Sequence, residues 1–492
     1  MRNLFKLFVL LFTVILLISS IMVGCNNETP IDAENPTSIF FWHYYKGSQQ
    51  KILESQIDTF NSTLGREKGV IVEAVSMRSP KEIYDLVISS ANQEPGSPLL
   101  PTLVLAYPDA AVTFHDMGLL TPYNDYFTDK ELSQYLDDFL KEGKITENED
   151  IYVFPISKSS EVLMVNNTAY QSFINEYNLE NSTEPLDENM LSIFDGILAT
   201  SKAYYEWTDA KTPDVPHDGK AFFGLDSPSN FAISTFNQLG DSFFTEVDGK
   251  MTINLSSDAF KHVWDHYYVP MVKGYFAAYS FYRAEDTQTG DLLMYIGSTG
   301  GASFFPTTVT YSDNTQQDVQ LKVLPYPVHD GGTPSAVSQG AGIAMIAPIE
   351  PQAHAATLFL KWLTEPNNNT DFVLGSGYLP VTKEALNDTL PNALQGASED
   401  IVSINVSKVI QVSLGSYQDI GFSTYKPFIG SEELRFYFED MLLQRSLDTR
   451  KRFVDHLSSG HSYQEACDLF LSKSAYDRFV KEVEDEIQDL VH

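Results

Sequence analysis

Apolar positions along the chain recur with two periods, and their order sketches a fold. Residues 38–42 form an apolar run of strand length. Residues 49–61 follow with Ile52, Gln56, Ile57 and Phe60 on one helical face. Residues 69–75 repeat the strand pattern. Residues 80–93 repeat the helical one, with Pro80 suited to a first turn. Residues 102–106 make a third strand, ended by Pro108-Asp109. This βαβαβ order predicts a mostly parallel sheet with helices on both faces. Ligands of such sheets sit at the carboxyl ends of the strands. The loops at 43–48, 77–79 and 107–110 are therefore expected to border a cleft, with His43 and Tyr44 in the first of them.

The middle of the chain has another texture. Residues 170–281 are rich in aromatics, with helices predicted at 190–205 and 257–272. A strand at 292–296 runs into Gly297-Ser298-Thr299-Gly300-Gly301, and another is predicted at 321–324. After an apolar stretch at 340–347, residues 351–364 read as a helix with Ala356, Phe359, Leu360 and Leu363 on one face, closed by Pro366. Residues 432–492 read as helical and strongly charged. No repeat of 20–50 residues is visible.

The N-terminus has its own pattern. Arg2 and Lys6 precede a run at 7–23 that is apolar apart from Thr13, Ser19 and Ser20. Gly24-Cys25 ends it, and residues 26–38 are polar, with Pro30 and Pro36. A basic start, a short apolar core and a small residue at the break form an export signal. The run is shorter than the ~20 residues of a membrane span. It resembles a bacterial lipobox with Met22 where Leu is usual. That resemblance implies cleavage before Cys25, a diacylglyceryl group on its sulfur, and a tether over 26–38.

Charge and cysteine content narrow the function. Among 492 residues, 32 Lys and Arg stand against 66 Asp and Glu, a net charge of −34. Such a surface repels nucleic acid and anionic lipid. Cys467 is the only cysteine besides Cys25 and lies in a helical pattern, where it reads as a small buried hydrophobe. No C-x-x-C or Cys/His zinc spacing occurs.

Catalytic motifs are sparse. Residues 297–301 after a strand make a candidate backbone nest for an anion, but the Gly-Lys-Ser/Thr of a phosphate-binding loop is missing. His262 and His266 share a helical face, but Val263 stands where a zinc protease carries Glu, so no metal site is expected. There is no Gly-x-Ser-x-Gly elbow. Nothing singles out two of the many acids as a glycosidase pair. Trp207, Trp264, Phe231 and the tyrosines are candidates for stacking on sugar rings, though most aromatics pack in cores.

Several segments in order resemble the family 1 extracellular solute-binding proteins, the maltose-binding-like group. Phe41-Trp42-His43 resembles the first strand of its glycerol-3-phosphate branch. Tyr152-Val153-Phe154-Pro155-Ile156, Ser159-Ser160 and residues 162–166 resemble the first crossover between lobes. Residues 294–303 resemble the segment before the second crossover. Val323-Leu324-Pro325-Tyr326-Pro327 and Gln339-Gly340-Ala341-Gly342 resemble the return. Gly377-Tyr378-Leu379-Pro380-Val381-Thr382 follows a helix ending in Glu365-Pro366-Asn367, as in the family.

The resemblance implies an α/β, two-lobed periplasmic-binding-protein fold, each lobe a central sheet flanked by helices, joined by hinge crossovers. It implies one lobe from 39–154 plus about 325–376, and another from 155–324 plus 377–492, after a signal peptide at 1–24 and a lipidated tether at 25–38. The expected function is capture of a sugar, polyol or its phosphate ester by hinge closure, and delivery to the membrane subunits of an ABC importer. A monomer on the outer face of the cell membrane, held to the bilayer through Cys25, is expected, with no cofactor, no nucleic acid and no catalysis. A sensory or adhesive lipoprotein and a secreted carbohydrate-active enzyme are the alternatives.

Carried over position by position, the resemblance implies ligand contacts at Ser159, Ser298, Thr299, Gly340 and Tyr378. Three departures bear on the ligand. An acidic contact falls at Pro108, beside Asp109. A phosphate-contacting arginine falls near Pro427, beside Lys426. The region of a cleft tryptophan, 226–231, has no Trp. A lone Lys is a weaker phosphate partner than the fork of an Arg, so the reading leans to a neutral sugar or glycerol-type solute.

Overall fold

The computed structural model describes residues 31–311, 313–346, 349–396 and 401–488. The export signal and Cys25 lie outside the described residues. Two sheets organise the rest. Their strands are β1 (Thr37–His43), β2 (Val70–Ser76), β3 (Leu103–Ala106), β4 (Val153–Phe154), β5 (Glu161–Asn166), β6 (Phe223–Leu225), β7 (Met294–Ser298), β8 (Leu321–Leu324) and β9 (Gly342–Met345). The first sheet has the order β2-β1-β3-β9-β4, the second β8-β5-β7-β6. In the first, β1 pairs parallel with β2 and β3, and β9 returns antiparallel between β3 and β4. In the second only β6 and β7 are parallel.

Strand faces explain the helices. In the first sheet Phe41, Leu103, Leu105, Ile343 and Met345 pack against Leu53, Ile57 and Phe60 of helix Gly47–Ser62 and Phe359, Leu360 and Leu363 of helix Glu350–Leu363. The opposite face, Trp42, Val104, Ala106 and Ala344, takes Ile83, Val87 and Phe114. Both faces are covered, which is why β3 is buried at all four positions. In the second sheet Leu163, Val165, Met294 and Ile296 pack with Phe194, Ile197, Phe231 and Phe260. Its other face, Val162, Met164 and Tyr295, joins the apolar cluster of the first sheet. The lobes therefore share packing at their root.

Several boundaries differ from the sequence reading. Leu53, rather than Ile52, is buried with Gln56, Ile57 and Phe60 on the first helix. Pro108 and Asp109 start a helix, Pro108–Asp116, instead of a loop, because Pro fits a first turn where no N–H is needed. For the same reason Pro366 opens a helix, Pro366–Ser376, rather than only closing one. The stretch 190–205 divides into a 3₁₀ turn, Glu188–Ser192, and a helix, Phe194–Asp209. The stretch 257–272 contains a π turn, Trp264–Tyr268. Pro270 has no N–H for a carbonyl one turn back, so the helical ladder is broken there. The C-terminal stretch is three helices, Ser431–Ser458, Tyr463–Phe470 and Lys473–Gln488. Leu379, Val381, Leu390, Val409 and Ile410, expected with the second lobe, pack in the cluster shared with the first sheet.

Residues 155–160 carry the chain from β4 to β5, and residues 325–341 from β8 back to β9. The two crossovers lie side by side. The Ser159 N–H donates to Gln339 O at 2.9 Å and the Gln339 N–H to Ser159 O at 2.7 Å. Lys158 and Leu379 exchange a further pair at 2.9 and 2.6 Å. Gly340 has φ +87°, and a Cβ there would sit 2.9 Å from Ser157 O and 3.0 Å from Lys158 Cα. Only glycine lets the crossovers approach this closely. No described helix is long and apolar enough to cross a membrane.

Candidate functional site

The carboxyl ends of β1, β3, β6 and β7 and the amino end of β5 converge at the junction of the sheets. They deliver Tyr44, Tyr107, Asp226, Ser298 and Glu161. The Gly-Tyr-Leu-Pro segment adds Tyr378. The ring of Tyr378 lies over Gly300, where a Cβ would fall 2.6 Å from Tyr378 Cε1. The Tyr44 hydroxyl donates to that of Tyr107 at 3.3 Å. Tyr378 lies close to Tyr45, Tyr107 and Tyr282, and burial holds its hydroxyl well above the ordinary tyrosine range. Tyr282 is half exposed and makes an edge contact with the exposed Phe281, at 4.8 Å between centroids. Tyrosines thus line the junction, and Phe281 and Tyr282 form a rim.

A carboxyl cluster backs these rings. Glu161 is buried, with Oε1 accepting from Asn230 Nδ2 at 3.2 Å and Gln339 Nε2 at 3.3 Å, while its buried Oε2 has no partner. Burial pushes its pKa up to about 8, with Asp226 and Glu439 adding to the rise. Asp226 is pushed up to about 6 by burial, against the pull of the Arg283 N–H. Glu432, pushed up by burial and by Asp109, also reaches about 8. Asp109 accepts from Tyr425 Oη at 2.6 Å, Ser431 Oγ at 2.5 Å and Arg435 Nη1 at 3.0 Å. Arg435 Nη2 donates to Asn230 Oδ1 at 3.0 Å. A chain of bonds therefore runs from Asp109 through Arg435 and Asn230 to Glu161.

The expected site residues fall into three groups. Tyr44, Ser159, Ser298, Thr299 and Tyr378 meet at the junction, where Ser298 Oγ donates to Ser159 Oγ at 3.4 Å. His43, Asp109 and Gly340 are next to it but already engaged. His43 is buried, with Nδ1 accepting from the Tyr45 N–H at 3.2 Å, and burial lowers its pKa to about 4. Asp109 is saturated by protein donors, and Gly340 serves the packing of the crossovers. Lys426 stands apart, exposed and paired with Glu147. The 297–301 nest has spent two of its amides, since Thr299 N donates to Ser160 O at 2.9 Å and Gly300 N to Ser298 Oγ at 3.3 Å. That leaves little for an anion.

Trp207, Trp264 and Phe231 belong to the second-lobe core, not to the junction. Glu161, Arg435 and Tyr282 were not anticipated, whereas Tyr107 lies in the loop 107–110 expected at the cleft and Asp226 opens the region 226–231. The one usable signal for Glu161 was position, since it follows Ser159-Ser160.

Three comparisons bear on this arrangement. The profile of the bacterial extracellular solute-binding protein family matches residues 56–395. No curated protein matches the chain by sequence. Among solved structures, UgpB from Mycobacterium tuberculosis in complex with glycerophosphocholine is similar, with 18% identity over 89% of this chain and 100% of that one and a TM-score of 0.61. Maltose-bound MalE3 of T. maritima shares 15% identity over 86% and 100%, with a TM-score of 0.58. The cyclic alpha-maltosyl-1,6-maltose binding protein of Arthrobacter globiformis shares 15% over 85% and 98%, also at 0.58. At these identities the likeness is one of fold.

Proposed function

The chain belongs to the bacterial extracellular solute-binding proteins, and from that premise we propose that it captures a neutral, polyhydroxylated solute, a sugar or oligosaccharide, between its lobes for an ABC-type permease. The observation that carries the choice of solute is the composition of the junction. Tyr44, Tyr107 and Tyr378 offer ring faces for C–H surfaces and hydroxyls for hydrogen bonds. Ser159 and Ser298 add hydroxyls, and Glu161 adds a carboxyl that holds its proton at neutral pH and has a free oxygen. Arg435, close to Tyr107, is committed to Asp109 and Asn230. Arg283, the cation beside Asp226, is paired with Asp286. A phosphate ester would find both arginines already committed to carboxylates.

Closure of the lobes about the paired crossovers is part of the proposal, since only contacts made by both lobes shift an open–closed equilibrium. So are export and retention at the outer face through a lipid on Cys25, which rest on the sequence pattern at 1–25. Glu161 and Asp226, held at different pKa values, favour a second reading, a carbohydrate-active enzyme.

The test is a thermal-shift panel of neutral mono- and oligosaccharides, polyols and glycerophosphodiesters on the protein from Asn26 onward. A solute that binds only the folded state raises the melting temperature by mass action. A neutral sugar is expected to give the largest rise and to be recovered intact. Stabilisation by phosphodiesters alone contradicts the solute class, and recovery of a shortened sugar favours the enzyme.

A further inference from the structure

Away from the junction, three histidines meet in the second lobe. His262 stands just before the π turn and His266 within it, and His329 comes from the crossover between β8 and β9. One ring nitrogen from each lies within 4.8 Å of the other two. His266 and His329 are buried and His262 is partly so.

The hydrogen bonds fix where the lone pairs point. Thr235 donates its hydroxyl proton to Phe231 O at 2.8 Å, so it accepts from His329 Nε2 at 2.9 Å. That leaves His329 Nδ1 unprotonated, and this buried atom has no partner. His262 Nδ1 is also buried without a partner. His266 Nδ1 donates to His262 O at 3.1 Å, which leaves the lone pair on Nε2. That lone pair faces Asp195 Oδ1 at 3.2 Å. Two acceptors at this distance repel unless a proton or a cation lies between them. His266 and His329 thus each have one nitrogen held by a protein acceptor and a lone pair on the other, as hydrogen-bonded partners impose on metal-binding histidines, and His262 adds an unpartnered Nδ1.

We propose that His262, His266 and His329, with Asp195 at the solvent-facing side, bind one first-row transition-metal ion of the Zn²⁺ type. Three imidazoles and a carboxylate match the donor preference of such ions. A tetrahedral ion with bonds of about 2.1 Å holds its ligand atoms about 3.4 Å apart, so small side-chain rotations bring the three nitrogens into range. The ion would tie the crossover to helix Phe194–Asp209 and to the helix carrying His262. Backbone bonds between Phe194 N and Val328 O at 3.1 Å, and between Val328 N and Ser192 O at 3.0 Å, already join these elements. Its role is a brace at the foot of the hinge, and it does not depend on which solute the junction takes.

The test uses the untagged, chelator-treated protein with no sugar present, titrated with Zn²⁺ by calorimetry and with Co²⁺ by visible absorption. One ion per chain is expected, with the intense visible bands of tetrahedral Co²⁺. His262→Gln, at the partly exposed position, should weaken binding at least about tenfold, as should His329→Ala. His461→Ala, in an exposed histidine pair, should leave it unchanged. No saturable binding means that a proton alone joins His266 and Asp195, and overturns the site. Binding that survives His262→Gln but is lost in His461→Ala overturns it as well.

Discussion

Glu161 shows how one residue is defined by where the fold puts it. In an unfolded chain its carboxyl ionises near 4.5, whereas in the folded protein burial among other acids raises the pKa to about 8. Between these values the unfolded state has released a proton that the folded state keeps, so this group's contribution to stability falls as pH rises. Melting curves from pH 5 to 9 should show that fall in the wild type and a flatter profile in Glu161→Gln. The same slope in both would mean that Glu161 is not the group responsible. The sequence could not single this residue out. With 66 acids in the chain, no local pattern marks one carboxyl as buried. Ser159, Ser298 and Tyr378 were legible because short motifs surround them. Arg435 was not, because a helix reading as charged surface packs that side chain against Asp109, and burial of this kind is a tertiary fact.

At the scale of elements, strands and the first helices were legible from period alone, since each carries its own apolar face. What escaped the pattern were the breaks. Pro270 sits inside a helical periodicity that its missing N–H cannot sustain, and Pro108 and Pro366 open helices where a turn signal was read. The opening of helix Pro108–Asp116 has a consequence for how the lobes are joined. It points Asp109 at Tyr425, on the segment leading into helix Ser431–Ser458, and at Ser431 and Arg435 near the start of that helix. Asp109 and Arg435 have side chains 4% and 19% exposed, so this is a buried pair. Removing one partner leaves the other charge uncompensated, at a cost of about 3–5 kcal/mol. Asp109→Ala should therefore lower unfolding stability by about that amount in urea titrations. A loss below about 1 kcal/mol, the range of a solvent-exposed pair, would show that the contact is open to water.

Across the whole molecule, two α/β sheets, side-by-side crossovers and a ring of tyrosines at their junction make one device. The family resemblance anticipated the two lobes, while the shared apolar cluster at their root, including Leu379, Val381, Leu390, Val409 and Ile410, was not visible in any single segment. The role proposed for this junction is to take an uncharged sugar against its tyrosine rings. Calorimetric titration of the wild type and Tyr378→Ala, with the neutral sugar that stabilises most and with a glycerophosphodiester, tests it directly. The expected result is one sugar bound per chain, no heat from the phosphodiester, and a loss of about 1–3 kcal/mol on removing Tyr378, roughly tenfold or more in affinity. Tight binding of the phosphodiester, or sugar binding indifferent to Tyr378, would contradict it.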